Sequence, residues 1–287
     1  MLSFLLRLFN FANLNNQLFI QDHNSKNLSY TVGENQFIDQ NYTDEFFLSD
    51  NHFVPNNVTK PVHYDTDIVP FSVDWRKYHK VSSVKNQGHC GGCWAFSSSG
   101  AIESAWAIKN NVLYNLSQQE LIDCSSDYGN HGCEGGSMDL GFKYVIDKGL
   151  CTNLSYPYQA SDQECQSDQC QSVVNLSSYG DLTPNDESNL RKGVAQQPVS
   201  VAIQANKRSF QLYQSGIYSD LDCGTKLDHG VLVIGYGIDL DFGMEYWIIK
   251  NSWGPNWGEN GYIRIQRNIE DKRGLCGIAM QPSIPIL

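Results

Sequence analysis

The sequence predicts an α+β fold in two parts, on three observations. Apolar residues recur at a helical period in the first half of its cysteine-bearing region. Strand-like runs between Gly-rich connections dominate the second half, and every cysteine and tryptophan falls after residue 68. Residues 1–68 are rich in Asn, Asp and Phe, so the simplest division is a removable front segment followed by a disulfide-bonded body, 69–287. That body reads as helical over about 78–180 and β-rich over about 181–287.

Taken in order, Met1 to Phe11 is apolar apart from Arg7 and Asn10. It lacks the charged leader and small-residue cleavage site of a signal peptide, so it reads as a helix face that packs on something. Val54 to Thr66, with two prolines, reads as an extended linker. Cys93 to Lys109 carries Trp94, Ala95, Phe96, Ala101, Ile102, Ala105, Trp106 and Ile108 near a 3.6-residue period with no Pro. Ser117 followed by Glu120 matches a capping box opening a second helix. Ser137 to Lys148 is a third, stopped by Gly149. Strands are expected at Val199–Gln204, Gly230–Tyr236, Tyr246–Lys250 and Tyr262–Gln266.

Composition excludes several functions. Hydrophobic residues make up 41% of the 287, enough for a core, so wholesale disorder is out. A net charge of −11 leaves no broad electropositive face for a nucleic-acid backbone. No run approaches 18 apolar residues, so no membrane span is expected. Nine cysteines suggest disulfides plus one thiol kept for chemistry. Sequons at Asn27, Asn41, Asn57, Asn115, Asn153 and Asn175 add to the expectation of a glycoprotein of an oxidising, secretory compartment.

Cys90-Gly91-Gly92-Cys93 opens the first helix. A zinc site would want a second ligand pair, but Cys124 and Cys133 are spaced too widely and no His pair follows. A thioredoxin motif would follow a strand, whereas this one follows a Gly-rich loop. The remaining reading places Cys93 at a helix N-terminus, where free N–H groups favour a thiolate. Such a nucleophile wants an oriented imidazole. His23, His52 and His63 lie in the front segment, and His79, His89 and His131 in polar loops. Only His229 stands at the mouth of a buried strand. Asn251 ends another strand beside Trp253, so its side-chain oxygen could accept the imidazole N–H while the indole keeps water away.

At these residues the chain resembles the papain/cathepsin L family of cysteine proteases. His229 and Asn251 lie 136 and 158 residues after Cys93, close to the separations known for that family. The likeness extends through Val73-Asp74-Trp75-Arg76, Val84-Lys85-Asn86-Gln87-Gly88, Cys93-Trp94-Ala95-Phe96, Cys133-Glu134-Gly135-Gly136, Asp228-His229-Gly230 and Lys250-Asn251-Ser252-Trp253-Gly254. Gly92 departs from the usual Ser or Ala, with a modest effect expected. In the front segment, Gly33, Asn35, Phe37 and Asp39 fit the family's prosegment pattern. Asn16, Ile20 and Asn24 fit half of its long-helix motif, whose first half is out of register, so the prosegment is expected to be N-terminally incomplete.

The resemblance implies a two-domain fold, a helical left domain and a β-barrel-like right domain with the active-site cleft between them. It implies a zymogen-derived endopeptidase in which Cys93 attacks the peptide carbonyl, His229 carries the proton and Asn251 orients His229. Gln87 and the Cys93 N–H would form the oxyanion hole. Gly135 and Gly136 would pair with substrate backbone, Trp257 would line the leaving-group side of the cleft, and Asp228 and Trp253 would be further substrate-binding residues. Met138, Ala202, Leu227 and Gly230, with Gln281 at the far end, would line a roomy S2 pocket that prefers hydrophobic P2 residues and, with Gln281 neutral, disfavours Arg. Disulfides would join Cys90–Cys133, Cys124–Cys165 and Cys223–Cys276, with the two remaining cysteines, Cys151 and Cys170, expected to pair with each other. No metal or cofactor is implied. Partners would be protein and peptide substrates, the chain's own prosegment and cystatin-type inhibitors, acting on a monomer in a lysosome or vacuole or outside the cell. The insertions that give relatives exopeptidase activity are missing. An inactive peptide-binding homologue is the alternative from another class, and a transglutaminase-like acyl transferase would leave the front segment unexplained.

Overall fold

The computed structural model describes residues 2–41, 62, 64 and 69–287. Most of the linker expected at 54–66, with the sequon at Asn57, lies outside the described residues. In chain order the main elements are α1 (Leu2–Ser25), β1 (Tyr30–Val32), β2 (Val73–Asp74), α2 (Cys93–Asn110), α3 (Gln118–Cys124) and α4 (Met138–Lys148). There follow β3 (Ser178–Asp181), α5 (Glu187–Gln196), β4 (Val199–Ile203), α6 (Arg208–Gln211), β5 (Tyr213–Tyr218), β6 (His229–Asp239), β7 (Met244–Lys250), β8 (Tyr262–Gln266) and β9 (Ser283–Ile286). No described helix is long and apolar enough to cross a membrane.

The three expected body helices form where their signals lie. Ser117 caps α3 by accepting from the Glu120 N–H. The Glu120 carboxylate does not return the bond. It accepts instead from Cys151 N at 2.7 Å and the Tyr144 hydroxyl at 3.0 Å, so the box is only half closed. Strands run in the order β1-β5-β8-β7-β6-β4-β9-β3, with β2 on β6. The path is open among the described residues, so the barrel-like part does not close on itself there.

Two apolar clusters result. One gathers Trp94, Ile102, Leu121 and Phe142 of the helices with Leu232 and Ile248 of the sheet. The other lies among the strands, around Val201, Phe210, Tyr213, Trp247 and Trp257. Helix α2 is buried along most of its length between them and runs against β6.

A buried ion network fastens α2. Glu103, 1% exposed, accepts from Lys85 Nζ at 3.0 Å, Leu116 N at 2.8 Å and the Ser82 hydroxyl. Lys250 Nζ donates to Ser82 Oγ at 2.8 Å, which connects the network to the end of β7. Burial pushes the Glu103 carboxyl up, but Lys85, Lys250 and the hydrogen bonds outweigh it and hold its pKa below the usual value. Burial brings the Lys250 ammonium down to about 8.

The front segment docks on the sheet edge. Strand β1 pairs antiparallel with β5, Tyr30 opposite Gly216. The Asn24 side chain bonds both Val32 N and Val32 O, and Asn16 Nδ2 donates to the carbonyls of Ile38 and Gln40. Asn35 reaches the Gln211 carbonyl, Gln36 the Trp253 carbonyl, and Phe37 meets the Trp253 indole edge-on at 4.9 Å. Asp39 accepts from Asn13. The motif positions thus hold the segment's own turn together and fix it to the body.

Because removing buried Glu103 leaves two partly buried cations without their carboxylate, Glu103→Ala should lower stability by about 3–5 kcal/mol. A denaturant midpoint shifted by less than about 1 kcal/mol would contradict that role of the network.

Candidate active site

Cys93 is the first residue of α2 and the free cysteine of the chain. The other eight pair as Cys90–Cys133, Cys124–Cys165, Cys151–Cys170 and Cys223–Cys276. Gly92 at the N-cap offers no side chain to the first-turn N–H groups; its carbonyl takes that of Ala95 at 2.8 Å, and that of Trp94 acts on the Cys93 sulfur. A Cβ at Gly92 would lie 2.9 Å from the tip of the Ile122 side chain, a contact that a turn of that side chain relieves. The N–H groups of Gly230 and Trp94 stabilise the thiolate, but burial outweighs them and pushes the Cys93 thiol up to about 11.

His229, the first residue of β6, is fully buried. Its neighbour Gly230 lies against the backbone of Trp94; a Cβ there would sit 3.2 Å from Trp94 N and Cα. A side chain at 230 would require the first turn of α2 to give by a few tenths of an ångström. This close approach sets Cys93 and His229 on facing ends of the two elements.

The hydrogen bonds around His229 have a fixed direction. Ser252 N can only donate, and it donates to Asn251 Oδ1 at 2.8 Å. That identifies the oxygen end of the amide, so the 2.7 Å contact from His229 Nε2 to the same atom requires Nε2 to carry a proton. In the neutral imidazole Nδ1 is then the acceptor. It is buried, with no hydrogen-bond partner among the described residues, and Asn251 Nδ2 is likewise without one. Trp253 stacks on the imidazole at 4.8 Å and 27°. Burial brings the His229 imidazole down to about 4, against the upward pull of Asn251. Taken singly, both groups are therefore held neutral by burial, and no hydrogen bond joins them in this closed state.

Gln87 is buried, and its amide is oriented from both sides: Oε1 accepts from the Ser252 hydroxyl at 2.6 Å, and Nε2 donates to the Cys90 carbonyl at 3.0 Å. One Nε2 hydrogen remains. Ser252 therefore orients both amides of the site. Its sequence signal was only its place between Asn251 and Trp253.

The remaining expected residues fall in three groups. Gly135 uses its N–H and carbonyl within the chain, on Gly132 and His131. Gly136 has no main-chain partner among the described residues, and a Cβ there would meet Asn130 Oδ1 at 2.5 Å and the Trp94 ring at 2.7 Å. Met138, Ala202 and Gly230 are contiguous: Ala202 pairs with Gly230, and Met138 Sδ lies 3.3 Å from the Gly230 Cβ position. Leu227 packs at the edge of the helical cluster and beside Gly277. Met138 and Gln281 line one hollow of about 30 Å³, together with Asp139 and Asp181, which sequence reading missed because they stand on α4 and β3 and meet only in the fold. Asp228 accepts from Ala205 N at 2.7 Å, and burial raises its carboxyl to about 7. Trp257 is fully buried in this structure, edge-on to Trp253 at 5.0 Å, with its Nε1 donating to the Gln211 carbonyl.

Comparison with known proteins agrees with this geometry. Residues 69–286 match the papain family cysteine protease profile. The chain is 48% identical over 281 residues to the probable cysteine protease RD21B of Arabidopsis thaliana, covering 94% of this chain and 59% of that protein, so it spans well under two thirds of that relative's length. Among solved structures, digestive procathepsin L 3 from the larval midgut of Tenebrio molitor superposes with a TM-score of 0.89 at 43% identity, covering 98% of this chain and 91% of the other. Bromelain from Ananas comosus in complex with the E64 inhibitor superposes at 0.73 with 42% identity, covering 76% of this chain and all of the other. A free thiol at the head of α2, an imidazole facing it at the head of β6, and these matches together place the chain in the papain family of cysteine proteases.

Proposed function

We propose that the chain is a cysteine endopeptidase made as a zymogen, with residues 1–68 as prosegment and linker and 69–287 as the peptidase. The observation that carries this reading is the direction of the His229–Asn251 bond, which leaves Nδ1 as the acceptor beside a helix-terminal thiol. Cys93 Sγ attacks the peptide carbonyl carbon as its proton passes to His229 Nδ1. The carbonyl oxygen, now an oxyanion, accepts from the free Gln87 Nε2–H and from the Cys93 N–H. His229 returns the proton to the leaving amine, leaving a thioester, and water activated by the same imidazole releases the carboxylate. Charged together, thiolate and imidazolium stabilise one another, which neither does alone in a buried site. The bromelain complex with E64 supports a thiol site of this shape. Gly136, with its main chain unused, is the position for an added substrate strand. The disulfides and sequons support maturation along a secretory route to a lysosome, a vacuole or the exterior.

Cys93→Ala should abolish peptide hydrolysis while leaving the fold intact, and residual hydrolysis above a trace would refute the mechanism. The protonation states give a pH signature. With the thiol up to about 11, alkylation of Cys93 by iodoacetamide in the intact chain should be slow at pH 7 and rise about tenfold per pH unit towards pH 10. After removal of the front segment, the ion pair should make the rate nearly flat from pH 5 to 8. Identical profiles before and after removal would contradict this.

The Met138 and Leu227 walls and the small Ala202 and Gly230 favour a hydrophobic P2 residue. Burying such a side chain contributes roughly 1.5–3 kcal/mol, so P2 Leu or Phe should exceed P2 Gly by about 10- to 150-fold in kcat/KM on matched substrates. Equal rates would show that the pocket is assigned wrongly. With Gln281 neutral at its far end, the pocket offers P2 Arg no charged partner there, so P2 Arg should be cleaved more slowly than P2 Leu.

A further inference from the structure

Tyr158 has no part in the chemistry above, yet it contacts the site's scaffold at two points. It stands on the loop that follows α4, which is closed on itself by Cys151–Cys170 and tied to the end of α3 by Cys124–Cys165. Its hydroxyl donates to the Gln87 carbonyl at 2.8 Å. Its ring meets Phe96, on the first turn of α2 three residues after Cys93, edge-on at 5.0 Å. Gln87 is otherwise held by Ser252, through main chain (N–H to the Ser252 carbonyl, 2.8 Å) and side chain, and by Cys90 through a 3.4 Å main-chain contact and the amide bond already described. Tyr158 is thus the anchor of Gln87 on the disulfide-tied loop, across from Ser252.

Resting on the protease reading, we propose that Tyr158 is a positioning residue for the oxyanion donor Gln87, its hydroxyl fixing the Gln87 main chain so that the remaining Nε2–H stays aimed at the developing oxyanion. Oxyanion donors act by being in place before charge develops, so slack in the backbone that carries one lowers the rate without weakening ground-state binding. The phenol keeps its proton throughout, because burial raises its pKa and a charge on Cys93 raises it further.

The test is Tyr158→Phe in the processed enzyme, which keeps the ring on Phe96 and removes only the donor. Loss of one such bond should lower kcat on peptide substrates roughly three- to tenfold with KM little changed. Inhibition by a peptide aldehyde, whose adduct also places an oxygen in that hole, should weaken by the same factor. Alkylation by iodoacetamide, which builds no oxyanion, should proceed at the unaltered rate. In a Gln87→Ala background the Tyr158→Phe change should have no further effect on kcat. Unchanged kcat, an equal fall in alkylation, or a full additional loss in the Gln87→Ala background would each overturn the positioning role alone. Absence of Cys93-dependent hydrolysis in the unaltered enzyme would instead overturn the protease reading beneath it.

Discussion

A single backbone N–H, that of Ser252, decides how the groups around His229 are oriented. Because it can only donate, it fixes which end of the Asn251 amide is oxygen, and the oxygen fixes which nitrogen of His229 is protonated. The Cys90 carbonyl, which can only accept, fixes the nitrogen end of the Gln87 amide in the same way, and the oxygen end then takes the Ser252 hydroxyl. A residue with no part in the proposed bond making therefore contacts both amides that orient the site, that of Asn251 beside the proposed proton acceptor and that of Gln87, the proposed oxyanion donor. Both depend on the turn after β7 holding its shape, and that turn is fastened through Lys250 to the Glu103 network on α2.

The second constraint is steric. Gly230 leaves room for the first turn of α2 to rest on the first residues of β6. The helix brings N–H groups to Cys93, and the strand gives His229 a rigid seat. Burial then works against charge on either group, which suits a dormant enzyme. The front segment reaches this enclosure through Gln36 and Phe37, both on Trp253, whose ring also stacks on the imidazole.

Elements with strong local signals were legible in the sequence. Helix α2 has a full apolar period, α4 ends at Gly149, and β6 to β8 are dense in β-branched and aromatic residues. The elements that escaped have weak patterns. Strand β5 carries Gly216 at a positive φ among exposed polar residues, β9 contains Pro285, and α5 has Gly193 in its interior with only Leu190 and Val194 as buried apolar residues. Cys93, His229 and Gln87 were reachable from motif and position. Three features were not: the packing of Trp257 against Trp253, the common lining of one hollow by Asp139 and Asp181, and the hold of Tyr158 on Gln87. Each is a contact between distant segments that leaves no periodic trace.

The tautomer of His229 is the point on which the account stands. It is measured by ¹⁵N NMR of the histidine-labelled intact chain carrying Cys93→Ala, near pH 7, with His229→Gln used to assign the signal. The account predicts a neutral imidazole protonated at Nε2, with Nδ1 as the bare nitrogen. An Nδ1-protonated neutral ring would mean that the Asn251 amide is turned the other way and that His229 cannot accept the thiol proton as described.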